Sequence, residues 1–257
     1  MTDFGMPTLI GHASLADSVA LCRDLGLKFV EINMNLPMYQ VDGLRTAAFQ
    51  GDGACFTLHL DEALNPFDFN QLVAEAYRTT AVRAVALARA VGMPVVNMHM
   101  PMGVSFTLPG GKVSLFDRYW DLVRSGIERF RDEMDEAASG VVSICVENTS
   151  FGGLHHLTDA LDLLLLSPAF SLTYDCGHDF ADGGHARSYY AARADRVRHL
   201  HLHDAVGTRC HLPLGTGEID VPAVLRMAQN GRAVLETKDE PGLRASVKWL
   251  FERNLLV

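Results

Sequence analysis

A chain of 257 residues that is 48% hydrophobic and 21% charged can bury one large core or two small ones, which sets aside the disordered and fibrous classes. A net charge of −9 argues against general attraction to nucleic acid while leaving room for a local basic groove. No apolar run reaches the about 20 residues a membrane helix needs, because the longest, LDLLLLSPAF, is interrupted by Pro168.

In chain order, short apolar runs alternate with longer helical patterns. The opening MTDFGMPTLIGHAS has no basic segment followed by a long apolar stretch, so no signal peptide is expected. The first strand is predicted over Thr8 to Gly11, and a helix from Leu15 to Leu25 stops at Gly26. A second strand, Lys28 to Asn33, precedes an irregular stretch through Gln50. The third strand, Cys55 to Leu60, leads to a helix from Phe69 to Val91. The fourth, Pro94 to Met100, leads through a Gly/Pro loop to a helix from Leu115 to Ala138. The second half repeats the rhythm. Strands at Val141–Asn148, Phe170–Cys176, Val197–Asp204 and Ala233–Lys238 precede helices at Leu157–Leu166, His185–Arg193, Val221–Gln229 and Leu243–Arg253.

Eight strand–helix units without a linker predict an α/β fold, a single-domain (β/α)8 TIM barrel over residues 1–257. No G-x-G-x-x-G follows the first strand, which counts against a dinucleotide-binding sheet. The cysteines Cys22, Cys55, Cys145, Cys176 and Cys210 include no C-x-x-C pair, so neither a disulfide framework nor a thiolate zinc site is expected. A reducing cytoplasm suits them. Cys176 and Cys210 fall near the candidate site in sequence and are read as packing residues.

The polar residues carry the functional signal. RVRHLHLHDAVGTRCHLPLGTGE, from Arg196 to Glu218, places His199, His201 and His203 at alternate strand positions, so their imidazoles share one face. Buried imidazoles need partners, and a metal ion is the expected one. His59 and His99 end the third and fourth strands, Glu147 the fifth, Asp175 the sixth, His201 the seventh and Glu236 the eighth. One such residue is ordinarily a hydrogen-bonded core side chain or a helix cap. Six at the C-terminal rim of one barrel converge where TIM-barrel sites are built. Asp175-Cys176-Gly177-His178 adds an acid and an imidazole three residues apart, and His211 offers a further donor. Nitrogen and carboxylate donors suit Zn2+ or Mn2+, with Co2+ or Fe2+ also admissible, better than Ca2+ or Mg2+.

Across nearly its whole length, the chain resembles the xylose isomerase-like TIM-barrel superfamily. The stretches that carry the likeness are GHASLADSV, VENT, YDCGHDFADGG, HLHD, HLPLGTGEID and LETK. This group contains sugar epimerases and isomerases and the family-2 apurinic endonucleases. The resemblance implies metal ligation by Glu147, Asp175, His201 and Glu236, with His178 beside them and His59, His99 and His211 as further ligands of an endonuclease-type zinc site. It departs at Arg209, which stands where that site has an aspartate, so one or two ions are expected rather than three.

The function so implied is a metal-dependent isomerase or epimerase of a sugar, sugar phosphate or polyol-ketone. It would work by proton transfer through a metal-stabilised enediolate, with Glu147 and Glu236 as proton carriers. His178, His203, Arg209 and Lys238 are the expected substrate contacts, and the loops Asn33 to Gly43 and Met102 to Lys112 the expected seat of specificity. His199, deeper on its strand, is read as core. The alternative is an apurinic-endonuclease-type zinc phosphoesterase acting on DNA. Arg209, the acidic Asp61 and Glu62, and the lack in NMNLPMYQ of the basic and aromatic residues with which the endonuclease resemblance would enter a duplex count against nucleic acid as a partner. A non-catalytic binding barrel is a third reading, opposed by the presence of both glutamates. A small-molecule carbohydrate, no membrane, and at most a homo-oligomer complete the expected partners.

Overall fold

Barrel closure places the first strand upstream of its most β-prone residues. In this computed structural model, which describes residues 2–44, 49, 55–152, 154–228 and 231–256, β1 spans Asp3–Pro7 rather than the predicted Thr8 to Gly11. It pairs in parallel with β12 (Arg232–Leu235) and β2 (Phe29–Asn33). Gly5 makes this possible, since a Cβ there would lie 2.5 Å from the Phe29 ring. Thr8 follows the strand and ties it to β2, its hydroxyl accepting the Asn33 N–H at 3.0 Å.

The remaining barrel strands are β3 (Cys55–His59), β4 (Val95–His99), β7 (Ser143–Glu147), β8 (Phe170–Asp175) and β9 (Val197–Leu202). The eight close in the order β1-β12-β9-β8-β7-β4-β3-β2, with every pairing in the barrel parallel. This is a single-domain (β/α)8 TIM barrel, as the alternation of elements predicts.

Helices pack outside. α1 (Leu15–Asp24) starts from a capping box of Ser14 and Asp17, and α2 is a single turn at Val41–Leu44. α3 (Gln71–Val91) starts at its Asn70 cap and ends at left-handed Gly92. It buries Ala81, Ala84, Val85 and Ala88, small enough for close approach to the sheet. The helix predicted over Leu115–Ala138 is two, α4 (Leu115–Arg118) and α5 (Trp120–Ala138), broken at Tyr119. α5 buries Val123, Ile127, Phe130 and Met134 at helical spacing. Each such side chain contributes roughly 1.5–3 kcal/mol by leaving water.

Other departures lie on the rim. The Met102–Lys112 segment, expected as a loop, enters an antiparallel hairpin of β5 (Ser105–Leu108) and β6 (Gly111–Ser114) that runs past its end. α6 is His155–Leu164. After β8 the chain turns at once into α7 (Cys176–Ala181), ahead of α8 (Arg187–Ala191), whereas the sequence predicts one helix from His185 to Arg193. Asp175 drives this early start by capping it, its Oδ1 accepting the His178 N–H at 2.6 Å. A second hairpin, β10 (Asp204–Val206) and β11 (Arg209–Leu212), follows β9. The predicted helix from Val221 is a short α9 (Val221–Leu225), and its predicted end at Gln229 falls outside the described residues. α10 (Glu240–Phe251) begins from Asp239 and Pro241, earlier than predicted. Among the described residues no helix is long and apolar enough to cross a membrane.

Candidate metal centre

The barrel interior is polar where such cores are ordinarily branched and apolar. A lower tier holds Glu31, Thr57, Asn97, Thr173 and His199, all buried. Thr173 Oγ1 donates to Asn97 Oδ1 at 2.5 Å, which turns the Asn97 amide nitrogen toward Glu147 Oε2 at 2.6 Å. Glu31 Oε2 accepts from Thr57 Oγ1 at 3.0 Å and faces His199 Nε2 at 2.8 Å, while its Oε1 faces His201 Nε2 at 2.9 Å.

The upper tier gathers the strand-end residues. His201 Nδ1 lies 3.1 Å from Glu147 Oε2, 3.6 Å from Glu236 Oε2 and 3.8 Å from Asp175 Oδ2. His178 Nδ1 is 3.4 Å from Glu147 Oε1 and 3.5 Å from Asp175 Oδ2. His59 Nε2 and His99 Nε2 each sit 3.4 Å from the Glu147 carboxylate. Four of these atoms, Glu147 Oε1, His178 Nδ1, His201 Nδ1 and Glu236 Oε2, are buried without a hydrogen-bond partner. Donors about 2.0–2.2 Å from one ion stand roughly 3 to 3.5 Å apart, so the set fits a divalent metal with small adjustments. Buried polar atoms left unpaired call for a partner, and an ion at this point would supply one.

The histidine tautomers follow from their outer partners. His59 Nδ1 donates to Leu60 O at 2.7 Å, which leaves its Nε2 lone pair facing Glu147. His211 Nδ1 donates to Glu236 O at 3.0 Å, freeing its Nε2. His203 is different. Its Nδ1 accepts the His211 N–H at 2.7 Å, so its Nε2–H donates to Asp175 Oδ2 at 3.1 Å. His211 takes φ 59°, a left-handed conformation rare for a side-chain-bearing residue, and those two hydrogen bonds hold it there.

Electrostatics match a cation site. Burial would raise the Glu147 carboxyl, but His201 and His99 beside it hold it well below the usual carboxylate range. Burial is likewise overcome at Glu31 by His199 and His201, and at Asp175 by His203 and His178. The imidazoles move the opposite way. Against burial, Glu147, Glu31 and Glu236 lift His201 well above its ordinary value. Asp175, Glu147 and Glu236 push His178 up to about 9. Without an ion, protons on these rings supply the positive charge. Burial takes His211 down to about 4 despite Glu236, so it is neutral.

The structure thus brings Glu147, Asp175, His201, Glu236, His59, His99, His178 and His211 to one centre. The predicted substrate contacts are placed more variously. Lys238 reaches Glu236 Oε1 at 2.9 Å from a half-exposed position. Arg209 is exposed on β11, and His203 is fully enclosed rather than open at the mouth. His199 lies in the lower tier. A cavity of about 300 Å³ opens beside the centre, lined by Glu236, Lys238, Asn33, Asn35 and the apolar Leu9 and Leu36. Glu31, Asn97 and Thr173 were not singled out in the sequence. Their only signal is a polar residue at an inward position of an apolar strand.

The family model described as the xylose isomerase-like TIM barrel matches residues 19–253. No curated protein matches the chain. Similar solved structures include a D-tagatose 3-epimerase-like protein, 20% identical with a TM-score of 0.72, the match covering 99% of this chain and 98% of that one. Another is the 3-keto-D-glucoside 4-epimerase of E. coli, 15% identical with a TM-score of 0.77, covering 98% and 100%. A third is the D-psicose 3-epimerase of Clostridium cellulolyticum H10, 14% identical with a TM-score of 0.71, covering 99% of each. At these identities the likeness establishes the fold.

Proposed function

The chain belongs to the xylose isomerase-like TIM-barrel family, and from that membership we propose that it is a metal-dependent isomerase or epimerase of a small carbohydrate, acting in the cytoplasm. The observation that carries this is the convergence of unpaired Glu147 Oε1, His178 Nδ1, His201 Nδ1 and Glu236 Oε2 in a buried, polar-lined centre at the barrel mouth. The epimerases among the structural neighbours support the substrate class. Glu147, Asp175, His201 and Glu236 would hold the ion, and His59, His99, His178 and His211 border a second position. Zn2+ or Mn2+ suits the donors best, Co2+ or Fe2+ next. A divalent ion held there would supply Lewis acidity to a carbonyl and its neighbouring hydroxyl.

The protein's own groups move the proton. Glu147 and Glu236 come from β7 and β12, separated by β8 and β9, so they flank the centre from different sides. One removes the proton beside the carbonyl and the other returns it. Both carboxylates are ionised, Glu236 because His201 and Lys238 outweigh its burial. The cavity beside Glu236 receives the rest of the substrate, with Lys238, Asn33 and Asn35 offering donors to sugar oxygens or to a phosphate. The experiment is solvent deuterium uptake at the carbon beside the carbonyl of a ketose panel, with elemental analysis of protein purified without chelator. One or two ions per chain and exchange that Glu236→Gln abolishes are expected. Three zinc ions with cleavage of an abasic duplex would instead establish the phosphoesterase.

A further inference from the structure

Glu31 lies beneath the centre on β2, 2% exposed. It reaches across the barrel interior from β2 to β9, since His199 and His201 project from a strand separated from its own by β1 and β12. Three donors converge on its two oxygens, namely Thr57 Oγ1, His199 Nε2 and His201 Nε2. An ionised carboxylate only accepts, so both imidazoles present N–H at Nε2. For His201 this has a specific consequence. Its Nδ1 becomes the atom that faces Glu147, Asp175 and Glu236.

We propose that Glu31 is a positioning residue for the metal centre, fixing His201 in the ring orientation and tautomer that present Nδ1 as the ligand. Without it the imidazole turns about its Cβ–Cγ bond or carries its proton on the wrong nitrogen, and either change removes a ligand. Outer partners of this kind set ligand basicity and orientation. His199 and Thr57 serve Glu31 in turn. By holding Oε2 they aim Oε1 at His201, which gives the middle-strand histidine a structural duty without metal contact. The inference rests on reading His201 as a metal ligand.

The test compares Zn2+ affinity of the full chain, by chelator competition, among wild type, Glu31→Gln and Glu31→Asp, with near-UV circular dichroism reporting the fold. Glu31→Gln keeps the shape but donates from one side. Glu31→Asp keeps the charge but falls one methylene short of spanning both rings. Both are expected to lose about 10–100-fold in affinity. In the zinc-loaded, 15N-histidine-labelled protein, the sheltered His201 Nε2–H gives a slowly exchanging proton resonance that both variants broaden or lose. Wild-type affinity in Glu31→Asp would assign the effect to charge alone and overturn the proposal, as would a change under twofold in Glu31→Gln. If a Glu31 variant does not fold, Thr57→Val removes one donor without altering charge. Its expected loss is about two- to tenfold, and none would overturn the proposal. Absence of zinc binding by the wild type would defeat the reading of the site itself, a separate failure.

Discussion

Asn97 donates to Glu147 Oε2 at 2.6 Å while accepting from Thr173 Oγ1 at 2.5 Å, so a buried amide holds a proposed catalytic carboxylate from below. All three side chains are completely enclosed. Asn97→Leu would leave Glu147 Oε2 and the Thr173 hydroxyl short of a partner, at about 1–3 kcal/mol each. Asn97→Asp would set two carboxylates together, and breaking a buried charged arrangement costs about 3–5 kcal/mol. Thermal melts should rank wild type above Leu and Leu above Asp. An Asp variant as stable as wild type would show that Asn97 does not constrain Glu147.

Protons on its imidazoles balance the carboxylate charge of the centre, so the proposed metal binding should depend on pH. Against burial, Asp175, Glu147 and Glu236 push His178 up to about 9, and Glu147, Glu31 and Glu236 raise His201 well above its ordinary value. Both nitrogens must lose protons to bind a cation. Affinity should therefore rise with pH from 6 to 9, by about tenfold per unit for each proton displaced. Calorimetry in two buffers of different ionisation enthalpy at pH 7 measures the release directly. Affinity independent of pH across that range would refute the proton-for-metal exchange.

The barrel and the ionisable residues at its strand ends were legible because both rest on local regularities. Period-two strands, helix caps such as Asn70, and ionisable residues at strand ends need no distant information. β1 was misplaced because its position depends on Gly5 lying against Phe29, a close packing that no propensity encodes. Glu31 was overlooked for a related reason. Its histidine partners stand 168 and 170 positions away, so a lone acid in FVEIN has no local sign of its role. The alternation of His199, His201 and His203 was visible, and so was a difference between their duties, but not the role of His203, which is enclosed against Asp175 and not open to substrate. His201 faces the centre, His199 holds Glu31, and His203 holds Asp175.

Lys238 tunes Glu236. Its Nζ lies 2.9 Å from Glu236 Oε1, opposite the unpaired Oε2. Burial raises the Glu236 carboxyl, while His201 and then Lys238 bring it below its ordinary value. Lys238→Met removes one of the two opposing charges and so raises Glu236. The group must be ionised to accept a proton, so the acid limb of the pH profile for proton exchange should move to higher pH. Fold stability should change little, because the lysine side chain is 55% exposed. An unmoved acid limb would separate Lys238 from the chemistry of Glu236.

Gly177 is the hinge on which the Asp175–His203 contact depends. A Cβ at this position would fall 2.0 Å from His203 Cε1 and 2.2 Å from its Nδ1. The ring cannot retreat without loss, because its two nitrogens are engaged by the His211 N–H and by Asp175. Overpacking of this sort ordinarily costs about 1–3 kcal/mol. Gly177→Ala should lower the melting temperature accordingly. It should also weaken zinc binding, since a displaced His203 no longer steadies the Asp175 carboxylate. Crystals of the variant should show the His203 ring rotated or shifted away from α7. A variant with wild-type melting and zinc affinity would mean that the turn after β8 relaxes freely, and that His203 is not needed to hold Asp175 in place.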